Sequence, residues 1–208
     1  MAGEQAAKEG EYRRRLLATG AAYGLGHHLG VLPPGDARWR GSSWVDWADL
    51  LLPYAVLGLA AGTLLAAGVG RRTWIGFGVA GLLYTQGHGI HLAANSIGNA
   101  QPSAAAFLWD ELAGHAIWYA GAAMVVATLA ATMAERAATR NPAAIAVAIA
   151  VGATWATNAL GGHFLIPGTV LSGAAAGYGA AQRHTLAWLV GLAGLSALVV
   201  LGGAVLGG

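Results

Sequence analysis

The stretch Gln86–Ile97, QGHGIHLAANSI, lies inside a hydrophobic run, residues 73–97, that is long enough to cross a membrane. A span needs about 20 mostly apolar residues. Two histidines and an asparagine within one are expensive to bury unless partners satisfy them. This segment therefore raises two linked questions, what class of protein the chain is and what its polar residues are for.

Composition answers the first. Of 208 residues, 56% are hydrophobic and 10% are charged, and mean hydropathy is +0.56. An ordinary soluble domain carries about 25% charged residues. Seven runs, near 16–32, 49–69, 73–97, 105–133, 142–162, 165–181 and 185–206, read as transmembrane helices. The first and sixth are short, so six spans are the alternative count. LPPGD, NAQPS, RNPA and IPG break the chain between runs. The expected fold is an all-α integral membrane protein of the cell membrane, a multi-pass bundle forming one transmembrane helical domain over 1–208.

The basic residues orient this bundle. Arg13, Arg14 and Arg15 precede the first run, and Arg71 and Arg72 lie between the second and third. Arg136 and Arg140 lie between the fourth and fifth, and Arg183 between the sixth and seventh. With seven spans all four segments share one side, which the positive-inside rule makes cytoplasmic. The N-terminus, with its polar segment 1–15, is then cytoplasmic and the C-terminus outside. EYRRRLLATGAAYGLGHHLG has the basic-then-apolar order of a signal peptide but no Ala-x-Ala-like cleavage site, and reads as an uncleaved first span. Segment 33–48, with Trp39, Trp44 and Trp47, reads as an outer interfacial anchor.

Several function classes drop out. With no cysteine there is no disulfide, thiolate metal site or cysteine nucleophile. A net charge of +2, spread in short clusters, gives no footprint for nucleic acid. The lone lysine, Lys8, lies outside the runs, so no retinal Schiff base can form in the bundle. The 33 glycines fit close helix packing, within the chain or in a homo- or hetero-oligomer, and Gly20/Gly24 and Gly173/Gly177 have small-xxx-small spacing.

The polar residues converge. In this topology His27, His28, His88, His91, His115 and His163 all fall toward the outer ends of their spans, and only His184 is cytoplasmic. Asp110 and Glu111 are the acids placed well inside the hydrocarbon. Counting from segment 98–104 as the outer turn, His91 and Glu111 lie roughly 12 Å deep, and His88 and His115 roughly 17 Å deep. The short connection makes the third and fourth runs antiparallel neighbours, so these four residues are expected to form two matched rungs. Tyr84, His88, His91 and Asn95 make one helical stripe and Glu111, His115 and Trp118 another. Asp110 is expected to point about 100° away from Glu111, toward a helix carrying His27, His28 or His163.

Imidazole and carboxylate donors suit zinc, iron or copper, and ligand pairs at i, i+3 and i, i+4 on facing helices are how bundles hold metals. The expected ligands are His88, His91, Glu111 and His115, with His163 and His28 as further candidates. Asp110 and Glu111 are the expected catalytic acid/base residues, and Tyr84, Asn95 and Asn158 the supporting ones. The spacing matches neither the Glu-x-x-His of di-iron bundles nor the His-Glu-x-x-His of zinc peptidases. These residues point to a metal-dependent membrane enzyme acting on a lipid-like or membrane-embedded substrate among membrane lipids. Hydrolysis stands ahead of oxidation because the ligand set is small. A metal-ion or proton-coupled transporter, and a cofactor-binding accessory subunit of a membrane complex, are the alternatives.

Overall fold

A computed structural model describes residues 2–28, 38–39 and 42–207. Among these, seven helices follow one another: α1 (Ala2–Gly26), α2 (Trp44–Ala67), α3 (Arg71–Ala100), α4 (Ala104–Ala134), α5 (Pro142–Gly161), α6 (Leu165–Ala181) and α7 (Trp188–Gly207). A ribbon of two residues a side, β1 (Arg38–Trp39) against β2 (Ser42–Ser43), precedes α2. Four helices, α2, α4, α5 and α7, are long and apolar enough to cross a membrane. The other three are limited by their composition or length: α1 is polar over its first half, α3 carries Arg71, Arg72 and the histidine segment, and α6 has 17 residues.

The boundaries depart from the expected runs in ways that local physics explains. The polar segment before residue 16 is helical because Glu4–Lys8, Glu9–Arg13 and Glu11–Arg15 pair one turn apart, at 2.7, 2.7 and 2.6 Å. The expected first span thus becomes the second half of α1, and its outer end, 29–32, lies outside the described residues. So do 33–37 and 40–41 of the expected interfacial segment. The rest of that segment does not all lie apart from the bundle: α2 begins at Trp44 rather than near 49, with Asp46 in its first turn facing the positive end of the helix dipole. That earlier start brings Asp49 onto a helix.

The backbones of α3 and α4 approach closely at three glycines. A Cβ at Gly87 would land on the main-chain nitrogen of Trp118, and one at Gly121 on that of Tyr84. One at Gly114 would lie 2.9 Å from the main-chain nitrogen of His91. The three contacts step up one helix and down the other, so the pair is antiparallel with its backbones touching. Gly20 and Gly24 make a comparable seam against Val147 and Ala150 of α5, whereas Gly173 and Gly177 have nothing within 4 Å. The α6–α7 approach runs through Gly179 against Gly191, and through Gly194 against Ala176 and Ser172.

The main core joins α2, α3 and α4 through Val56, Ala60, Leu64, Ala80, Tyr84 and Trp118. At the end of the bundle away from His88, His91 and His115, the basic segments gather. Arg13 donates to the Ala137 carbonyl at 3.2 Å, Arg136 pairs with Glu9 at 3.5 Å, and the amide of Ala138 donates to the His184 carbonyl at 3.2 Å. Tyr12 is clamped there, its hydroxyl 2.8 Å from Thr132 Oγ1 and the Arg136 guanidinium 3.7 Å above its ring. Burial raises its phenol above the ordinary value.

Large apolar side chains stand on the outside of the bundle as well as in its core, and two histidines are buried. Leu82, Ile166 and Val199 are 72, 76 and 75% exposed, while His88 and His115 are 1 and 4% exposed. An outside of this kind suits lipid, and an inside of this kind suits a buried polar site.

Substitution at the α3–α4 seam should be far less tolerated than at a glycine that touches nothing. Gly121→Ala is expected to lower unfolding stability in detergent by about 1–3 kcal/mol. Gly173→Ala is expected to be neutral, or to gain up to about 1 kcal/mol of helix propensity. Thermal unfolding curves that moved alike for both variants would refute the seam.

Candidate metal centre

Two histidine–aspartate triads form side by side at one end of α3. In the first, His91 of α3 meets Asp110 and His115 of α4; in the second, His88 of α3 meets Asp49 of α2 and His27, just beyond α1. Within each triad one candidate ligand atom per residue lies within 4.8 Å of the others. Ligands about 2.1 Å from a tetrahedral ion sit about 3.4 Å apart. Each triad would therefore contract by little more than an ångström at its widest to close on a metal.

A local winding change assembles the first triad. Residues Leu108–Gly114 are π-helical, with α-helix on either side. Bonding from i to i+5 puts more residues into each turn, so Asp110 and His115, five apart, come to one face. Asp110 Oδ1 lies 2.5 Å from His91 Nδ1. His115 Nδ1 lies 3.3 Å from the Glu111 carbonyl oxygen, which can only accept, so this nitrogen carries the proton. The His91 and His115 rings lie 4.3 Å apart, centre to centre. Glu111 Oε2 is 3.5 Å from His115 Nδ1 and otherwise bare.

The second triad is built by three separate elements. Asp49 Oδ1 lies 3.5 Å from His88 Nε2, and the His27 and His88 rings are 5.7 Å apart. The Tyr84 hydroxyl, 2.8 Å from His27 Nε2, fixes the second imidazole. His88 Nδ1 is buried without a hydrogen-bond partner. Buried polar atoms are nearly always paired. Beside the triads, His88 Nδ1, Glu111 Oε2 and Trp118 Nε1 are all buried without a hydrogen-bond partner.

Trp118 lies between the two triads. Its indole stacks on His91 and His115 at 5.6 and 5.7 Å, meets His88 edge-on at 4.8 Å and lies 5.4 Å from His27. One ring thus contacts all four triad histidines and fixes both sets against one apolar wall.

These positions revise several sequence expectations. His91, rather than His88, is the partner of His115, a shift of one turn from the expected rungs. The π-helical stretch shortens α4 between its start and His115, which slides that histidine outward along α3. For the same reason Asp110 turns toward His91 rather than away to a third helix, and Glu111 is set beside His115 rather than across from His91. His28 and His163 join neither triad. His28 Nε2 is 2.9 Å from Thr154 Oγ1, and His163, exposed at φ 50°, lies 6.3 Å from the Phe107 ring. Asn95 accepts from Asn99 at 2.6 Å and Asn158 lies on α5, so of the expected supporting residues Tyr84 is the one bonded to a triad member. Asp49 was missed. It reads as one acid of a loop until α2 is known to begin before it.

Comparison of the chain with protein-family models, with curated proteins and with solved structures finds no match. The chemistry is therefore read from the donors. Two imidazoles and one carboxylate suit zinc or iron and leave coordination positions open.

Gly162 tests whether this geometry governs metal affinity. A Cβ there would lie 2.7 Å from His115 Nε2, whereas one at the adjacent Gly161 meets nothing within 4 Å. Gly162→Ala should weaken metal binding by about 10–100-fold, as displacement of a ligand's support does, and Gly161→Ala should leave it unchanged. Competition titration with a chromophoric chelator measures both.

Proposed function

We propose that this protein is a metal-dependent enzyme of the membrane that acts on a lipid-like substrate, with hydrolysis as its leading chemistry. In this reading all seven helices cross the membrane, the N-terminus is cytoplasmic and the triads lie toward the outer face. The observation that carries the reading is the first triad, two imidazoles and a carboxylate beside a bare, buried Glu111 oxygen. His91, Asp110 and His115 would hold a zinc or similar ion, which when bound would supply Lewis acidity and a water of lowered pKa.

The chain's own residues supply the rest. Asp110, 2.5 Å from His91 Nδ1, sets the orientation of that ring, and the Glu111 carbonyl fixes the tautomer of His115. Glu111 Oε2, which makes no hydrogen bond, is free to take a proton from a water and return it to a leaving group. Trp118 excludes water from one side and keeps the site's electrostatics strong.

A cavity supports the substrate class. About 570 Å³ of space lies between α4 on one side and α5, α6 and α7 on the other, with α1 along its edge. It extends along α4 from Ala122 to Met133, about 16 Å at the helical rise, and its walls, such as Val126, Leu129 and Val151, are apolar. Tyr84, whose hydroxyl holds His27, lines its inner end, and Arg14 lines the other. A volume of this size accommodates a small organic molecule, and its length and lining suit a hydrocarbon chain.

The decisive experiment combines elemental analysis with turnover. The detergent-purified, untagged protein should retain metal through gel filtration, and His91→Ala/Asp110→Ala should lose it. In vesicles carrying lipid ester and phosphoester substrates, Glu111→Gln should keep its metal and lose about 10²–10⁴-fold in rate. A coloured, iron-containing protein would shift the chemistry to oxidation. Metal flux across the vesicle without turnover would make the protein a carrier. Absence of metal after loading with zinc, iron(II) or copper would end the metalloenzyme reading.

A further inference from the structure

We propose that His27, Asp49 and His88 hold a second divalent metal ion, so that the protein carries a two-metal centre. This rests on the metalloenzyme reading of the first triad and adds a separate site to it.

The donor set is the same as next door, two imidazoles and a carboxylate, which selects a borderline d-block dication rather than calcium or magnesium. The site is built rather than incidental. His88 is 1% exposed, and its Nδ1 has no hydrogen-bond partner, while its Nε2 is 3.5 Å from the Asp49 carboxylate. A neutral imidazole has one donor and one acceptor nitrogen, and Nε2, the one that faces Asp49, is placed to share an ion with that carboxylate. His27 is oriented from outside the triad by Tyr84, as metal-ligating histidines commonly are.

Charge balance points the same way. Three carboxylates, Asp49, Asp110 and Glu111, stand at this end of the bundle, and among the described residues their ion-pair partners are histidines. Held by one dication, the group keeps a net negative charge in a poorly solvated region unless a histidine protonates. Two dications against three carboxylates leave one positive charge, which a single hydroxide neutralises. That charge balance suits hydrolytic chemistry, to which a second ion would add Lewis acidity and an activated water.

The two triads are neighbours. His88 and His91 are three residues apart on α3, their rings 6.3 Å apart, and Trp118 contacts both. The second ion would also tie the end of α1 and the start of α2 to α3, whereas the first ties α3 to α4.

The test is metal stoichiometry on the full-length protein in detergent, loaded with zinc alone and with cobalt(II) alone, then freed of loose metal by gel filtration. The proposal expects two equivalents in the wild type and one in the isosteric Asp49→Asn and in His27→Gln. It also expects one in Asp110→Asn, with a different cobalt absorption spectrum from that left in Asp49→Asn. Should Asp49→Asn aggregate, Tyr84→Phe serves instead, and it should weaken the second binding step about tenfold or more while sparing the first. One equivalent in the wild type, unaffected by Asp49→Asn or Tyr84→Phe, would overturn the second site and leave the first standing. Two equivalents that survive Asp49→Asn and His27→Gln would place the second ion elsewhere and equally overturn it. Zero throughout would remove both sites.

Discussion

The rest of the site depends on the contact between the backbones of α3 and α4. Gly87, Gly114 and Gly121 put main chain against main chain where any side chain would intervene. Glycine in a helix costs about 1 kcal/mol relative to alanine. In a lipid environment that cost is offset by close van der Waals packing, because apolar side chains gain little by leaving lipid for one another. The seam has a chemical consequence. Gly114 lets the π-helical turn lie directly on His91, so Asp110 and His115 reach it with short side chains. Three larger residues there would hold the two donor sets apart.

Much of the helical plan was legible in the sequence because it depends on runs of apolar residues bounded by proline, arginine and polar turns. The expected runs 142–162 and 165–181 match α5 and α6 to within a residue. The candidate site was legible to the level of residue type and end of the bundle. His88, His91, Asp110, Glu111 and His115 do lie together, but the pairing was not readable. Depth and facing were reckoned at the α-helical rise and 100° step, and Leu108–Gly114 obeys neither. Nothing in LWDELAG signals a π-helix locally; it follows from packing Gly114 against His91 while keeping Ser103 as the cap of α4. Asp49 and His27 were hidden for another reason: they reach the site through tertiary contacts of α1 and α2, which periodicity on α3 and α4 cannot report.

The arrangement also separates two kinds of charge. The guanidinium groups of Arg13 and Arg136 collect at one end of the bundle, beside main-chain carbonyls and Glu9. The carboxylates Asp49, Asp110 and Glu111 collect at the other with imidazoles as partners. A carboxylate paired with arginine would be satisfied outright and would be a poor metal ligand. One paired with a neutral imidazole still has lone pairs and negative charge to give, and the imidazole can ligate or titrate as needed. Keeping the guanidinium groups at the far end therefore leaves these acids available to a cation.

Tyr84 connects this charge arrangement to the apolar cavity. It lines the cavity, and its hydroxyl is bonded to His27. The same side chain thus borders the space suited to a hydrocarbon chain and orients a triad imidazole. The main chain of Tyr84 is packed in turn by Gly121. The residue that borders the cavity and bonds His27 is therefore held by the same α3–α4 contact that assembles the first triad.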